Sequence, residues 1–127
     1  MPMDWTPISE VSLWDKINAA ENRMNSQLAK LWDAVRFTPE KWSEKSYGDL
    51  GGGFWVVAII GKTVIWYNDI EEGFNRSRYL DFGTIAEYWC NQDELEEALQ
   101  QVLNVIETGR DSEGRRGPPI AGEFVKR

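Results

Sequence analysis

The sequence predicts an α+β fold in which an antiparallel sheet of about three strands packs against a long N-terminal helix and a C-terminal helix. Three patterns lead to this prediction: a helical stripe of apolar residues over 13–35, a tight β-hairpin over 54–67, and a second helical stripe over 95–106. We expect residues 1–109 to form a single globular domain. Residues 110–127 contain glycine and proline without hydrophobic periodicity, which predicts a flexible C-terminal tail.

The N-terminal helix is predicted from one apolar face. Thr6 and Pro7 are typical of an N-cap and of a first helical position, so we expect the helix to begin there. The polar stretch 21–27 leaves two alternatives open, namely one continuous helix or two helices that meet in this stretch. The apolar stripe comprises Leu13, Ile17, Ala20, Met24, Leu28, Leu31 and Val35.

A short helical turn and a glycine-rich loop are predicted next. Thr38 and Pro39 repeat the start signal of the first helix and predict one turn of helix that carries Trp42. Residues 46–53 then form a loop that ends in three glycines.

A β-hairpin follows this loop. Phe54–Ile60 is rich in β-forming residues and residues 63–67 return, while Gly61-Lys62 fits a type II′ turn with glycine first. Both faces of the hairpin are apolar, so both need a cover, and helices on one side supply only one. The other face is left to the chain's own loops, to a second copy or to a partner. The predicted pairs are Ile60–Thr63, Ala58–Ile65 and Val56–Tyr67 on one face, and Ile59–Val64 and Val57–Trp66 on the other.

Three shorter features separate the hairpin from the last helix. Residues 68–73 predict an acidic turn, and residues 76–82 predict a third strand. Thr84 and Glu87 have the spacing of a capping box over a short helical turn.

The C-terminal helix is predicted from its two ends and its apolar stripe. Asn91 is the expected N-cap, and Glu94 would close its capping box. Acidic residues crowd the first turn, where they complement the helix dipole, and Gly109 is the expected terminating residue. The stripe comprises Leu95, Ala98, Leu99, Val102, Leu103 and Ile106.

Charge is distributed unevenly along the 127 residues, whose net charge is −7. Residues 1–109 contain nine Lys or Arg against 18 Asp or Glu, whereas residues 110–127 contain five against three. An acidic surface repels phosphate backbones and anionic lipids, so we expect neither nucleic acid nor a membrane as a partner. It attracts basic partners and steers their approach.

The residue inventory disfavours several kinds of chemistry. The chain has no histidine and one cysteine, Cys90, so it has neither a catalytic histidine, nor a zinc site, nor an internal disulfide. Gly51, Gly52 and Gly53 precede a strand, whereas a phosphate-binding loop leads into a helix. We therefore predict no catalytic residue, no cofactor and no metal, and we favour a protein that is not an enzyme. The absence of a disulfide and of a signal-peptide pattern predicts a cytoplasmic location.

The candidate partner-binding residues cluster around the acidic turn. Its carboxylates could bind a metal or act in acid–base chemistry, but an exposed acidic turn explains them more simply. Arg76 and Arg78 have two interpretations as well, anion binding or ion pairing with Glu71 or Glu72. Aromatic residues beside acidic ones suit a basic partner. The predicted contact set is Tyr67, Asp69, Glu71, Glu72, Phe74 and Tyr79.

In size, acidity and aromatic content the chain resembles the immunity proteins with which bacteria neutralise toxins. The resemblance covers no motif, so no residue role is transferred from that family. The first hypothesis is a non-catalytic acidic domain that binds a basic protein, in its sharpest form an inhibitor of a toxin nuclease. The second is a small-molecule-binding or enzymatic domain with a pocket between hairpin and helices, lined by Arg76, Arg78, Asp69 and Tyr67. The third is a structural protein that forms a homodimer through the second hairpin face.

Overall fold

A computed structural model describes residues 5–111 and 114–118, and this part of the chain has the predicted α+β fold. It contains three α-helices and one antiparallel sheet whose four strands are ordered as they occur along the chain. The sheet therefore has one strand more than the three or so that the sequence predicted. In chain order the elements are α1 Glu10–Arg23, α2 Ser26–Val35, β1 Arg36–Trp42, β2 Phe54–Ile60, β3 Thr63–Asn68, β4 Gly73–Arg78 and α3 Leu95–Thr108, with a short 3₁₀ helix at Gly48–Gly51.

The N-terminal apolar stripe is divided between two helices. Asn25 caps α2, because its side-chain oxygen accepts a hydrogen bond from the backbone N–H of Leu28 at 2.8 Å. The predicted start at Thr6 and Pro7 is wrong. Ser9 caps α1 through the N–H of Ser12, while the backbone N–H of Ile8 is bonded to the distant carboxylate of Asp69. That tertiary bond holds the preceding segment outside the helix.

The helical turn predicted at Thr38 and Pro39 is wrong, because these residues belong to β1. Their strand pairs with β2 and places Trp42 opposite Phe54, where the indole is 1% exposed. Proline is tolerated because β1 is an edge strand, whose outer N–H groups need no partner in the sheet. The pairing is irregular between Arg36 and Glu40, around the proline. Burial of Trp42 outweighs the local helix signal.

The hairpin is confirmed, and its register changes part of the way along. Gly61 has a φ of 58°, the positive φ that a type II′ turn needs at its first central residue. The pairs nearest the turn are those predicted, but a β-bulge at Val57 shifts the rest. Val56 therefore pairs with Trp66 and Trp55 with Tyr67, and the predicted pairs Val56–Tyr67 and Val57–Trp66 are wrong. The bulge lets both Val57 and Ala58 enter the core beneath the helices.

The third predicted strand is displaced toward the N-terminus, since β4 ends at Arg78 rather than at residue 82. The helical turn predicted at Thr84 and Glu87 is absent from the described structure. Glu87 instead accepts the backbone N–H of Arg78 at 2.9 Å, while the N–H of Ala86 donates to the carbonyl of Arg78. Residues 86–93 thus run beside β4 and cover its free edge.

The last helix begins three residues later than predicted. Its N-cap is Glu94, which exchanges hydrogen bonds with Glu97 in a capping box, and Gly109 ends it with a φ of 75°. The predicted N-cap, Asn91, has other partners. Its backbone N–H donates to the Asn75 side chain, and its own side-chain oxygen accepts the backbone N–H of Arg116.

Part of the predicted tail contacts the rest of the structure. The N–H of Cys90 donates to the carbonyl of Arg116, and Asp111 is paired with Arg76. Residues 112–113 and 119–127 of this segment lie outside the described residues. The division of the chain at residue 109 stays a prediction.

Both faces of the hairpin are covered by the described chain itself. On one face, α1, α2 and α3 pack over Val57, Ile65 and Phe74. On the other face, the loops before β2 and after β4 bury Val56, Val64 and Trp66 with Trp42, Phe54 and Ile85. A buried carboxylate, that of Glu44, fixes the first of these loops by accepting the N–H groups of Ser46, Tyr47 and Gly48. The second face therefore needs neither another copy nor a partner to bury it.

Candidate functional site

Two acidic segments that are separate in sequence meet at one end of the sheet. The turn between β3 and β4 contacts the segment that leads into α3, where the side-chain amide of Gln92 donates to the carbonyl of Glu71 at 3.0 Å. Gly73 permits this approach, since a Cβ there would lie 2.3 Å from the Cα of Gln92. We call the resulting group the acidic surface; it comprises Glu71, Glu72, Asp93, Glu94, Glu96 and Glu97, all of them exposed or half-exposed.

The structure brings together five of the six predicted contact residues. Glu71 and Glu72 lie in the turn, while Tyr67 and Phe74 are buried beneath it with ring centroids 5.0 Å apart. Asp69 is also buried. Tyr79 lies at the opposite end of the strands, where its hydroxyl donates to the carbonyl of Gly61. The aromatic residues near the turn therefore support it from below and leave its exposed part to carboxylates.

Sequence reasoning missed the contribution of α3 to this surface. The acidic first turn of α3 was interpreted as a dipole-complementing helix start, which it also is. Its closeness to residues 69–72 depends on the antiparallel bridge between Phe74 and Asp93, which no local pattern encodes. The signal available in the sequence was the density of acidic residues between 93 and 97.

One basic side chain crosses the acidic surface. Arg23, at the end of α1, forms ion pairs with Glu94 at 3.0 Å and with Glu96. Burial, the largest single influence, raises the pKa of Glu96, but the hydrogen bond from Arg23, a backbone hydrogen bond and the charge of Arg23 together outweigh it, so the pKa of Glu96 is lowered. Arg23 therefore neutralises part of the negative charge of the acidic surface, but in the part of the chain that the structure describes it forms no ion pair with Glu71 or Glu72.

Asp69 is a structural carboxylate at the inner edge of this region. Its Oδ2 accepts the backbone N–H of Ile8 at 2.8 Å, whereas its Oδ1, within the described residues, has no hydrogen-bond partner. Burial raises the pKa of Asp69, partly offset by the Ile8 N–H and by the charge of Lys41. The side chain fastens the N-terminal segment to the β3–β4 turn.

The pKa of Tyr67, which lies beneath the acidic surface, is raised by burial and by nearby carboxylates. Burial, followed by the charges of Glu72, Asp69 and Glu94, raises the pKa of its phenol to about 12. The folded protein thus keeps a proton that the unfolded chain releases near pH 10. Stability is fully present below that pH and is lost as the pH rises toward 12.

We therefore expect alkaline titration to destabilise the protein in part through Tyr67. Urea denaturation at a series of pH values should show the free energy of unfolding falling between about pH 10 and pH 12, with about 2 kcal/mol due to this group. Tyr67→Phe should remove that part of the decline. An unchanged slope in the variant would mean that Tyr67 titrates alike in both states.

The thiol of Cys90 is half-buried close to the hydroxyl of Tyr88. Burial raises the pKa of the Cys90 thiol; the Tyr88 hydroxyl partly offsets this, and Glu71 adds to it. A thiol in that environment is a weak nucleophile. Residues 5–111 and 114–118 contain no group of three or more His, Cys, Asp or Glu placed to hold a metal ion. Each helix in this part of the chain is too short or too polar to span a membrane.

The two arginines of β4 are separated from the acidic turn. Neither ion pair predicted for them, with Glu71 or Glu72, is present. Arg76 is 4% exposed and pairs with Asp111 at 3.0 Å, while Arg78 is exposed at the end of the strand. The four residues of the predicted pocket, Arg76, Arg78, Asp69 and Tyr67, therefore do not converge.

No family model matches this chain, and no curated protein or solved structure matches it either. The candidate sites are defined by the geometry and chemistry of this chain alone.

Proposed function

We propose that the protein is a non-catalytic domain that binds a basic protein through the acidic surface. The observation that carries the proposal is the meeting of the β3–β4 turn with the first turn of α3, which concentrates six carboxylates at one end of the sheet. Charge of one sign on one patch steers an oppositely charged partner and raises its rate of association.

The packing beneath the surface also supports this proposal, because it holds the turn in one conformation. Asn68 is fully buried, and its side-chain oxygen accepts the backbone N–H groups of Ile70 and Glu71. Its amide donates to the hydroxyl of Tyr88 and to the carbonyl of Trp89. A turn fixed before binding loses little conformational entropy when a partner docks.

In its sharpest form, the proposal is an immunity-type inhibitor of a basic toxin such as a nuclease, acting in the cytoplasm. A nuclease that binds a phosphate backbone carries a cationic cleft, and a patch of fixed carboxylates is complementary to such a cleft. The same negative charge disfavours nucleic acid and anionic membranes as partners.

Charge reversal at the turn tests the proposal. Glu71→Lys/Glu72→Lys should weaken binding of a basic partner by at least about tenfold and slow its association, with the greatest effect at low salt. These side chains make no hydrogen bond within the described structure, so folding should be preserved. The partner would be captured on the wild-type protein at low salt, purified, and its affinity measured by surface plasmon resonance.

A matched control changes net charge equally at other exposed positions. Asp33→Lys/Asp81→Lys lies on α2 and on the loop after β4, and should bind nearly as the wild type does. Equal affinities of the two double variants would refute the assigned surface. Failure to recover any basic protein would refute the proposed class of partner.

A further inference from the structure

We propose that a cavity between the β2–β3 hairpin and α3 binds a small carboxylate with a short apolar body, held by Arg76 and Arg115. The residues that line this cavity are different from those of the acidic surface, and the proposal does not depend on the one above.

The cavity has an apolar wall and a cationic end. Its volume is about 240 Å³, and Ile60 of β2 faces Val102, Val105 and Ile106 of α3 across it. Arg76, Asp111 and Arg115 line the polar end. Apolar walls with a few converging polar groups are the usual composition of small-molecule sites.

Arg76 is held rigidly at the end of the cavity. Its side chain is 3% exposed, and its Nε donates to the oxygen of Gln101 at 2.7 Å. The amide of Gln101 donates in turn to Asp93, which fixes the orientation of that oxygen. The two terminal nitrogens donate to the two oxygens of Asp111, at 3.0 and 3.4 Å. Asp111 thus occupies Arg76 as a carboxylate ligand would.

Arg115 brings a second guanidinium to the same carboxylate. Its terminal nitrogen donates to Asp111 at 2.8 Å, and its guanidinium carbon lies 5.9 Å from the centre of the Trp89 ring. Its Nε is buried and, among the residues described, has no hydrogen-bond partner. Native structures seldom leave such a donor unpaired, and a carboxylate bound at this end of the cavity would pair it.

The charges define the class of ligand. Among the described residues that line this end of the cavity, two guanidinium groups share one carboxylate, a local net charge of +1 although the whole chain is at −7. A monoanion neutralises that charge, and the planar fork of arginine matches a carboxylate. The apolar wall beyond it accommodates a hydrocarbon body.

Benzoate and hexanoate are suitable probes, with benzamide and hexanol as neutral counterparts of similar shape. Titration followed by ¹⁵N NMR should shift the amides of Val102, Val105 and Thr63, all of which line the cavity. Calorimetry should give dissociation constants in the millimolar range or below. The neutral counterparts should bind at least about tenfold more weakly. Equal binding of neutral and anionic probes, or no shift at these amides, would overturn the proposal.

Three variants and one control separate a ligand site from a purely structural ion pair. Arg115→Gln should weaken benzoate about tenfold, whereas Arg116→Gln, an exposed neighbour, should leave its affinity unchanged. Val105→Trp should abolish binding by filling the cavity while both arginines remain. Asp111→Asn should strengthen benzoate several-fold, because it removes the internal carboxylate that competes for Arg76. If Asp111→Asn weakened binding, or if Arg115→Gln and Arg116→Gln behaved alike, the assignment would be wrong.

Discussion

Replacing Trp66 with alanine is expected to lower the free energy of unfolding by about 3–5 kcal/mol, a large part of what a domain of this size possesses. Trp66 is fully buried on the loop-covered face, with ring centroids 4.6 Å from Phe54 and 6.0 Å from Tyr88. Its indole N–H donates to the Ser77 hydroxyl, which donates to the carbonyl of Glu87. Truncation would leave a large cavity and break the connection between β3, β4 and the covering loop.

Urea denaturation followed by circular dichroism measures this loss. One further variant separates the contribution of the hydrogen bond from that of the ring, and another serves as a control. Trp66→Phe retains most of the ring and loses the hydrogen bond, so it should lose about 1–2 kcal/mol. Trp14→Ala, at a half-exposed position on α1, should lose less than Trp66→Ala. A loss below about 1 kcal/mol for Trp66→Ala would mean that the loops adapt to the missing ring.

Asn68→Ala is expected to produce the second large effect, a loss of about 3–4 kcal/mol. The side chain makes four hydrogen bonds at a fully buried position, and its removal leaves the N–H groups of Ile70 and Glu71 without their acceptor. The β3–β4 turn would then loosen, and the acidic surface with it.

Asn68→Asp tests the hydrogen bonds that the side-chain NH₂ group of Asn68 donates. It keeps the acceptor for the turn and removes the donor to Tyr88 and Trp89, and it adds a buried charge, so it should also destabilise strongly. Asn18→Ala, on the exposed part of α1, is the matched control and should stay within about 0.5 kcal/mol of the wild type. Equal stability of Asn68→Ala and Asn18→Ala would contradict a structural role for the Asn68 side chain.

The parts of the fold that were predictable are those specified by neighbouring residues. The β2–β3 turn and the helical stripes depend on spacing within a few residues, and both were found. Pro39 gave a valid local signal for a helix start, yet pairing with β2 and burial of Trp42 placed it in a strand. The loops over Trp66 have no periodicity, so their role as a cover could not be predicted.

The candidate sites show the same difference between local patterns, which could be predicted, and long-range contacts, which could not. The acidic turn was visible as composition, whereas the contribution of α3 required the contact between Phe74 and Asp93. Arg76 was noticed, but its partner Asp111 is 35 residues further along the chain, in a segment expected to be a tail. Sequence patterns identify reactive or charged residues, and long-range contacts decide which of them meet.

The division of contacts among the helices has a consequence for protein synthesis. The apolar faces of α1 and α2 pack against α3, and Arg23 finds its ion-pair partners 71 and 73 residues later. The ribosome makes α1 and α2 well before the residues of α3 that complete their cover. The four strands, by contrast, each pair with the next one along the chain. A nascent chain can therefore assemble its sheet as it emerges, while its first two helices wait for the last one.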